Sequence, residues 1–440
     1  SPLNSTIDSF DTIQVMPPSK VFTIEEGTST KISPLNSTID SFDTIQVMPP
    51  SKVFTIEEGT STKISPLNSI NDSIDTIQIM PSSELVTNEG TKYKDNSLFW
   101  PYQWDIQNLT NDGALYEITK GSKNTSIAII DSGVNVNHVD LKGSITLTKN
   151  LVPKGGVKGE EPLETGETDF HQDFLGHGTS LVGKITADGY SKGLAPDIGI
   201  QSYRVFGSKG AETIWVIKAI IEAANNDADV INLSLIEYLT TGPVMDSSGK
   251  VSFEDQFEVM AYKTAIDYAE MRGSIVVAAA GNQSLDLNDQ NALKEYWKGK
   301  NQFSQSWGRV DAYPSSLDKV ISVGSINHKS DISIFSNYGQ GIIDIYTFGG
   351  DNRLVNEVGI EDYFNNRLYE KEWIFSTTAA GGYSYSIGTS ISTAKVSAAL
   401  ALIIDYYDLH NNPSGAKEVL LKNTDNHNGI NVLNIMASFE

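Results

Sequence analysis

The sequence predicts an α/β fold with a mainly parallel central sheet covered by helices on both faces. Three observations predict it. Short β-branched runs, such as Ser126-Ile127-Ala128-Ile129-Ile130, are apolar at every position after the first, as a strand buried on both faces must be. Stretches with helical spacing separate these runs. Strands alternating with helices imply crossover units, and therefore parallel pairing with helices over both faces.

The elements follow in order. Tandem repeats come first: residues 1–32 recur identically at 33–64, and a diverged third copy starts at Ser65 and keeps Asp75-Thr76-Ile77-Gln78. The repeats are rich in Ser, Thr, Pro and Asp. Pieces such as Thr12-Ile13-Gln14-Val15-Met16 read as isolated strands at most, and no stacked unit with a continuous apolar face is visible. Residues 1–96 therefore read as a linker or the remnant of a pro-region, extended in shape, and 97–440 as the compact domain. In that domain strands are expected at 126–130, 198–206, 229–235 and 274–280. Helices are expected at 215–225, with Ile217, Ile220, Ile221 and Ala224 on one side, and at 257–271. The polar stretches 154–169, 236–255, 284–309 and 349–378 read as surface insertions.

Composition excludes several functions. The absence of cysteine rules out disulfides, thiol catalysis and cysteine-bound metal. A net charge of −23 argues against nucleic acid or an anionic membrane as partner. It serves solubility, or it draws basic peptides. No apolar run is long enough to span a bilayer. The chain starts at Ser1 without Met or signal segment, which reads as a processed or trimmed form, and no Leu-Pro-x-Thr-Gly sorting signal stands near Glu440.

Three local patterns carry chemistry. Asp131-Ser132-Gly133 directly follows the strand at 126–130, where open α/β sheets place ligands. Alone it is ordinary turn chemistry. Gly176-His177-Gly178-Thr179-Ser180 opens an apolar helical stretch, and its small residues give access to the imidazole. Alone, such a histidine is usually structural; His138, His171, His328, His410 and His427 read as surface or packing residues. Gly388-Thr389-Ser390 starts a run of small and apolar residues, which puts a hydroxyl beside the unpaired N–H groups of a helix start. Alone it is a common N-cap.

Together, in the order Asp, His, Ser, they resemble the subtilisin-like serine protease family. A fourth element agrees: Ala279-Ala280-Gly281-Asn282 ends a strand where that family keeps its oxyanion-stabilising Asn. Tyr102-Gln103-Trp104-Asp105, Val230 to Leu235, Ala312-Tyr313-Pro314-Ser315 and Phe335-Ser336-Asn337-Tyr338-Gly339 match further along. The resemblance covers roughly 100–440 and implies a subtilisin-like three-layer fold, with Asp131, His177 and Ser390 as catalytic triad. It also implies an oxyanion hole of Asn282 and the Ser390 N–H, and a substrate cleft built on Leu233, Ser234, Leu235, Ala279, Ala280 and Gly281. The glycosylation patterns at Asn232 and Asn282 fall on a buried strand and in the catalytic centre, so neither is read as glycan-bearing.

Within the family, residues 389–401 and the acidic insertions are similar to the epidermin-type proteases that process lantibiotic leader peptides. That resemblance implies cleavage of a peptide or precursor protein, after a basic residue, with an acidic pocket group sought among Glu237, Asp255, Asp286 and Asp289. Two departures stand out. Ala394 replaces the usual Pro of the serine helix, and Ile236-Glu237 replace the usual glycines after Ser234-Leu235. The first should leave the helix intact; the second alters the pocket. The implied enzyme is a secreted, extracellular monomer. It requires no cofactor and no metal for its chemistry, although many relatives bind structural calcium and the acidic loops could do so. The competing readings are a broad-specificity secreted protease, a binding protein on an inactive protease fold, and a stalk role for the repeats.

Overall fold

The computed structural model describes residues 97–439 except 247, 301 and 302, together with the segments Thr44–Met48, Phe54–Glu57 and Thr76–Ile79. Those three segments form an antiparallel sheet with Thr44–Met48 in the centre. The repeat pieces thus pair, where the sequence suggested isolated strands. A lone strand leaves both backbone edges without partners, and pairing of one copy with the next satisfies one of them. The copy at Thr12 and the rest of the 1–96 reading lie outside the described residues.

The main sheet has nine strands: β1 Ser126–Asp131, β2 Ile145–Asn150, β3 Gly199–Arg204, β4 Val230–Leu233, β5 Ile275–Ala279, β6 Val320–Ile326, β7 Ile345–Phe348, β8 Thr424–His427 and β9 Ile430–Leu433. Their spatial order is β8-β9-β7-β6-β5-β4-β1-β3-β2. Every neighbouring pair is parallel except the β8–β9 hairpin.

Strand alternation sorts the core into two halves. Ile127, Ile129, Val230, Val277, Ile321 and Val323 point to one face, where they meet α2 His177–Thr186, α5 Thr389–Tyr407 and α6 Pro413–Lys422. Ala128, Ile130, Ile231, Leu233, Val276 and Ala278 point to the other face, towards α3 Thr213–Asn225 and α4 Glu254–Met271. A short helix, α1 Trp104–Leu109, joins the first half. On α3 the buried stripe runs through Val216, Ala219, Ile220 and Ala223, and Ile221 turns to solvent. Ile217, Ile220 and Ala224 of the expected side are buried, and Ile221 alone departs from it. The α5 helix is buried from Ile391 to Ile404, and Ala394 leaves it unbroken.

Three of the four stretches read as surface insertions have structure of their own. Residues 236–255 hold the strands Glu237–Thr240, Val244–Asp246 and Val251–Ser252. Residues 284–309 hold the helix Gln290–Lys300 and the strand Phe303–Ser306. These two stretches share a small core with Val244, Leu287, Leu293, Trp297 and Val310. Residues 349–378 fold as three short helices and a strand around Tyr363, Phe364, Tyr369, Trp373 and Phe375. The fourth stretch, 154–169, is tied down by polar contacts. Glu164 makes a two-pronged pair with Arg204 of β3, both bonds 2.6 Å and both groups buried. The Arg204 guanidinium also lies 5.1 Å from the Phe170 ring.

Candidate active site

Asp131 is the last residue of β1 and is almost fully buried. His177 opens α2, and its Nδ1 lies 2.8 and 2.9 Å from the two Asp131 carboxylate oxygens. With a carboxylate at that distance Nδ1 carries the proton, which leaves Nε2 as the nitrogen for proton exchange. The approach depends on two glycines. A Cβ on Gly178 would stand 2.1 Å from the Gly133 carbonyl, so the helix start could not come so close to the Asp131 loop with any other residue there. Gly133 itself has φ +110, in the region that favours glycine.

Asp173 completes this corner, and sequence reasoning missed it. Its Oδ1 accepts the Gly176 N–H at 2.7 Å and the Ser132 hydroxyl at 2.8 Å. Its Oδ2 accepts the Thr179 N–H at 2.8 Å and hydroxyl at 2.6 Å. Ser132 Oγ in turn accepts the Gly178 N–H at 2.9 Å. One buried carboxylate thus caps α2 and ties it to the residue after Asp131. Burial pushes the Asp173 carboxyl above its ordinary range; the hydrogen bonds oppose that shift and the charge of Asp131 adds to it. Asp173 stands three residues before the N-cap Gly176, outside the position at which a capping side chain is read from sequence.

Ser390 is the second residue of α5, so its N–H is one of the four that a helix cannot pair internally. Its hydroxyl donates to the Ser234 carbonyl at 3.2 Å, and the Ser234 hydroxyl donates back to the Ser390 carbonyl at 3.0 Å. The link continues inward. Asn232 Nδ2 donates to Ser234 Oγ at 2.9 Å, and Ser397 donates to Asn232 Oδ1 at 2.9 Å. The nucleophile's helix is thereby pinned to β4 and the residue beyond its end.

Asn282 follows the end of β5. Its Oδ1 accepts both the N–H and the hydroxyl of Thr389, each at 2.9 Å. A backbone N–H can only donate, so this fixes which way the amide faces. The Nδ2 donor then stands beside Gly388, where a Cβ would lie 3.3 Å from Nδ2 and 3.8 Å from the Ser390 nitrogen. Two N–H donors therefore flank one small space that glycine keeps open. A hydroxyl, an imidazole–carboxylate pair and two donors for a developing negative charge meet at the carboxyl ends of parallel strands. The structure pairs Asp131 with His177, sets the Ser390 hydroxyl against the Ser234 carbonyl beyond the end of β4, and joins Asn282 to Thr389, the residue before Ser390.

The Subtilase family of peptidases matches residues 122–436, well over half of the chain. The chain belongs to the subtilase family. Among its relatives is the epidermin leader peptide-processing serine protease EpiP of Staphylococcus epidermidis, 42% identical over 322 residues, which are 73% of this chain and 68% of the relative. The nisin leader peptide-processing serine protease NisP of Lactococcus lactis subsp. lactis is 41% identical over 345 residues, 78% of this chain. The match spans only about half of that protein's length, 49%. The crystal structure of the nisin leader peptidase NisP superposes with a TM-score of 0.73 at 41% identity and covers 78% of this chain and 94% of that structure.

In this subtilase the remaining expected cleft residues line up beside the site. Leu233, Ser234 and Leu235 are buried at the end of β4, and Ala279, Ala280 and Gly281 at the end of β5, with Leu233 level with Ala278. The strand Glu237–Thr240 leaves that edge and pairs antiparallel with Val310–Tyr313. The four acidic candidates have different surroundings. Asp255 accepts the Thr240 N–H at 3.0 Å. Asp286 and Asp289 accept the backbone N–H groups of Asn288 and of Asn291 and Ala292 in exposed turns. Glu237 remains, 3.4 Å from the Thr213 hydroxyl, and the structure adds Glu258 of α4 beside it. Burial pushes the Glu237 carboxyl well above its ordinary range, and the charges of Glu258 and Asp255 add to this. Burial likewise pushes Glu258 up to about 7. Among the described residues no three His, Asp or Glu side chains gather as a metal centre.

Proposed function

We propose that this subtilase is a processing endopeptidase that removes leader peptides from lantibiotic precursors, cutting after a basic residue. The observation that carries the reading is the meeting of Asp131, His177, Asn282 and Ser390 at one end of the sheet, in a chain about two-fifths identical to two leader peptidases. In this reading the Ser390 hydroxyl turns from the Ser234 carbonyl to His177 and attacks the peptide carbonyl carbon, while His177 Nε2 takes its proton. Asp131 holds the imidazole tautomer and stabilises its charged form. The Asn282 amide and the Ser390 N–H receive the oxyanion. The C–N bond breaks as His177 returns the proton to the leaving amine. Water, activated by the same imidazole, then cleaves the acyl-enzyme. In this reading Glu237 and Glu258, which neighbour each other where the strand after Ser234-Leu235 runs past α4, would receive the basic side chain, whose charge would offset the burial and mutual repulsion that push both carboxyls up.

The test is a set of peptides varied at the residue before the scissile bond, together with a lantibiotic precursor, offered to the wild type and to Ser390→Ala. The expected outcome is cleavage by the wild type alone, concentrated after Arg or Lys and releasing the leader. Cleavage after many residue types would keep the triad and point to a broad-specificity protease. A folded wild type that cleaves nothing and takes up no active-site phosphonate would point to a binding protein on this fold.

A further inference from the structure

Three ionised groups that the proposed chemistry does not use meet beneath the two helices that carry His177 and Ser390. Asp105 lies on α1, Lys184 on α2 and Lys395 on α5, and all three side chains are buried. A single oxygen, Asp105 Oδ2, is 3.3 Å from Lys184 Nζ and 2.5 Å from Lys395 Nζ. Lys395 also donates to the Phe348 carbonyl at 2.6 Å. The other carboxylate oxygen, Oδ1, is buried without a hydrogen-bond partner among the described residues. Lys184 is seven residues after His177, two helical turns on and so on the same face, and Lys395 is five residues after Ser390.

Buried ion groups of this kind are a weak source of stability, because desolvation of three charges offsets their attraction. Two cations against one carboxylate are a poorer bargain still. The arrangement does, however, hold two helices at a fixed separation through one atom. That atom comes from α1, which precedes residues 122–436, the span that the family model matches. The helix that supplies it is itself anchored. Gln103 exchanges two hydrogen bonds with the Lys192 backbone, at 2.7 and 2.8 Å, and Trp104 Nε1 donates to the Trp373 carbonyl at 3.0 Å.

We propose that Asp105 is a positioning residue for the reaction: through Lys184 and Lys395 it sets the spacing of the helices that carry His177 and Ser390, and thereby makes catalysis depend on the short helix α1 that precedes the first strand of the sheet. The proposal rests on the triad reading above. It does not rest on the leader-peptide substrate.

The test removes all three charges at once, with Asp105→Asn, Lys184→Met and Lys395→Met in one chain, so that no lone buried charge is left to unfold it. The readouts are the thermal midpoint, kcat and KM on a small amide substrate, and the rate at which a fluorophosphonate labels Ser390. The expected result is a folded variant with its midpoint kept, its KM unchanged, and its kcat and labelling rate down about tenfold or more, because a misplacement of 1 Å between reacting groups is enough for such a loss. A folded variant with wild-type kcat and labelling would overturn the proposal. So would a variant that does not fold, since the three groups would then hold the fold and not the site. Wild type and Ser390→Ala run alongside, so failure of the triad reading shows itself separately, as a folded wild type that neither turns over nor labels.

Discussion

Asn282 has two tasks on two ends of one amide. Its oxygen holds the start of the serine helix through Thr389, and its nitrogen is aimed at the space beside Gly388. Replacement by Ala removes a donor that matters only once the carbonyl oxygen gains charge. Asn282→Ala is expected to lower kcat by about 10²–10³, equivalent to roughly 2.7–4 kcal/mol of barrier, with KM little changed. Steady-state kinetics on an Arg-containing peptide checks this, and an equal rise in KM would mean that the residue mainly binds substrate. Asp131, His177 and Ser390 were legible in the sequence for a reason beyond their identity. Each needs small neighbours so that backbone can approach, and Gly133, Gly178 and Gly388 are visible as letters. Asp173 was not legible, because a carboxylate that caps a helix from beyond the N-cap position leaves no fixed spacing to read.

At the level of elements, four central strands of the main sheet could be read because burial on both faces demands nearly uninterrupted apolar runs, as at 126–130 and 274–280, while edge strands such as Ile145–Asn150 and Thr424–His427 are mostly polar and gave no such run. The insertions could not. Trp297 and Leu293, or Tyr363 and Trp373, lie among enough charged residues that no period emerges, yet a few large side chains suffice to fill a small core. The 154–169 stretch shows the opposite solution, a loop held by charge. Arg204 stands level with Asp131 in the β1–β3 register, and its guanidinium is committed to Glu164. Glu164→Ala would strand that cation in the interior. The expected cost is about 3–5 kcal/mol, read as a fall in the thermal midpoint. Arg204→Met with Glu164→Ala should regain much of it; a single variant as stable as the wild type would show that water reaches the guanidinium.

At the scale of the whole molecule, the buried ions leave a trace in the dependence of stability on pH. Burial lowers Lys395 to about 8, with repulsion from Lys184 adding and the attraction of Asp105 opposing. Between that value and the ordinary lysine range, the unfolded chain holds a proton that the folded chain has released. More protons on the unfolded side means that this group adds stability as pH rises. Thermal midpoints taken from pH 8 to 10 should therefore fall off less in the wild type than in Lys395→Met, and parallel curves would count against a depressed lysine.

The α5 helix has one more consequence. It packs against five strands of the sheet, β1, β4, β5, β6 and β7, and it carries Ser390 some 260 residues after Asp131, so its contacts are among the most distant in the chain and the slowest to form. A ribosome that has released Asp131 and His177 has still not delivered a nucleophile. A stalled or broken product ending short of residue 390 has no hydroxyl to attack with, and a nearly finished one has no seat for it until the rest of the sheet stands. The hydroxyl and its seat thus arrive last, with the nearly completed chain.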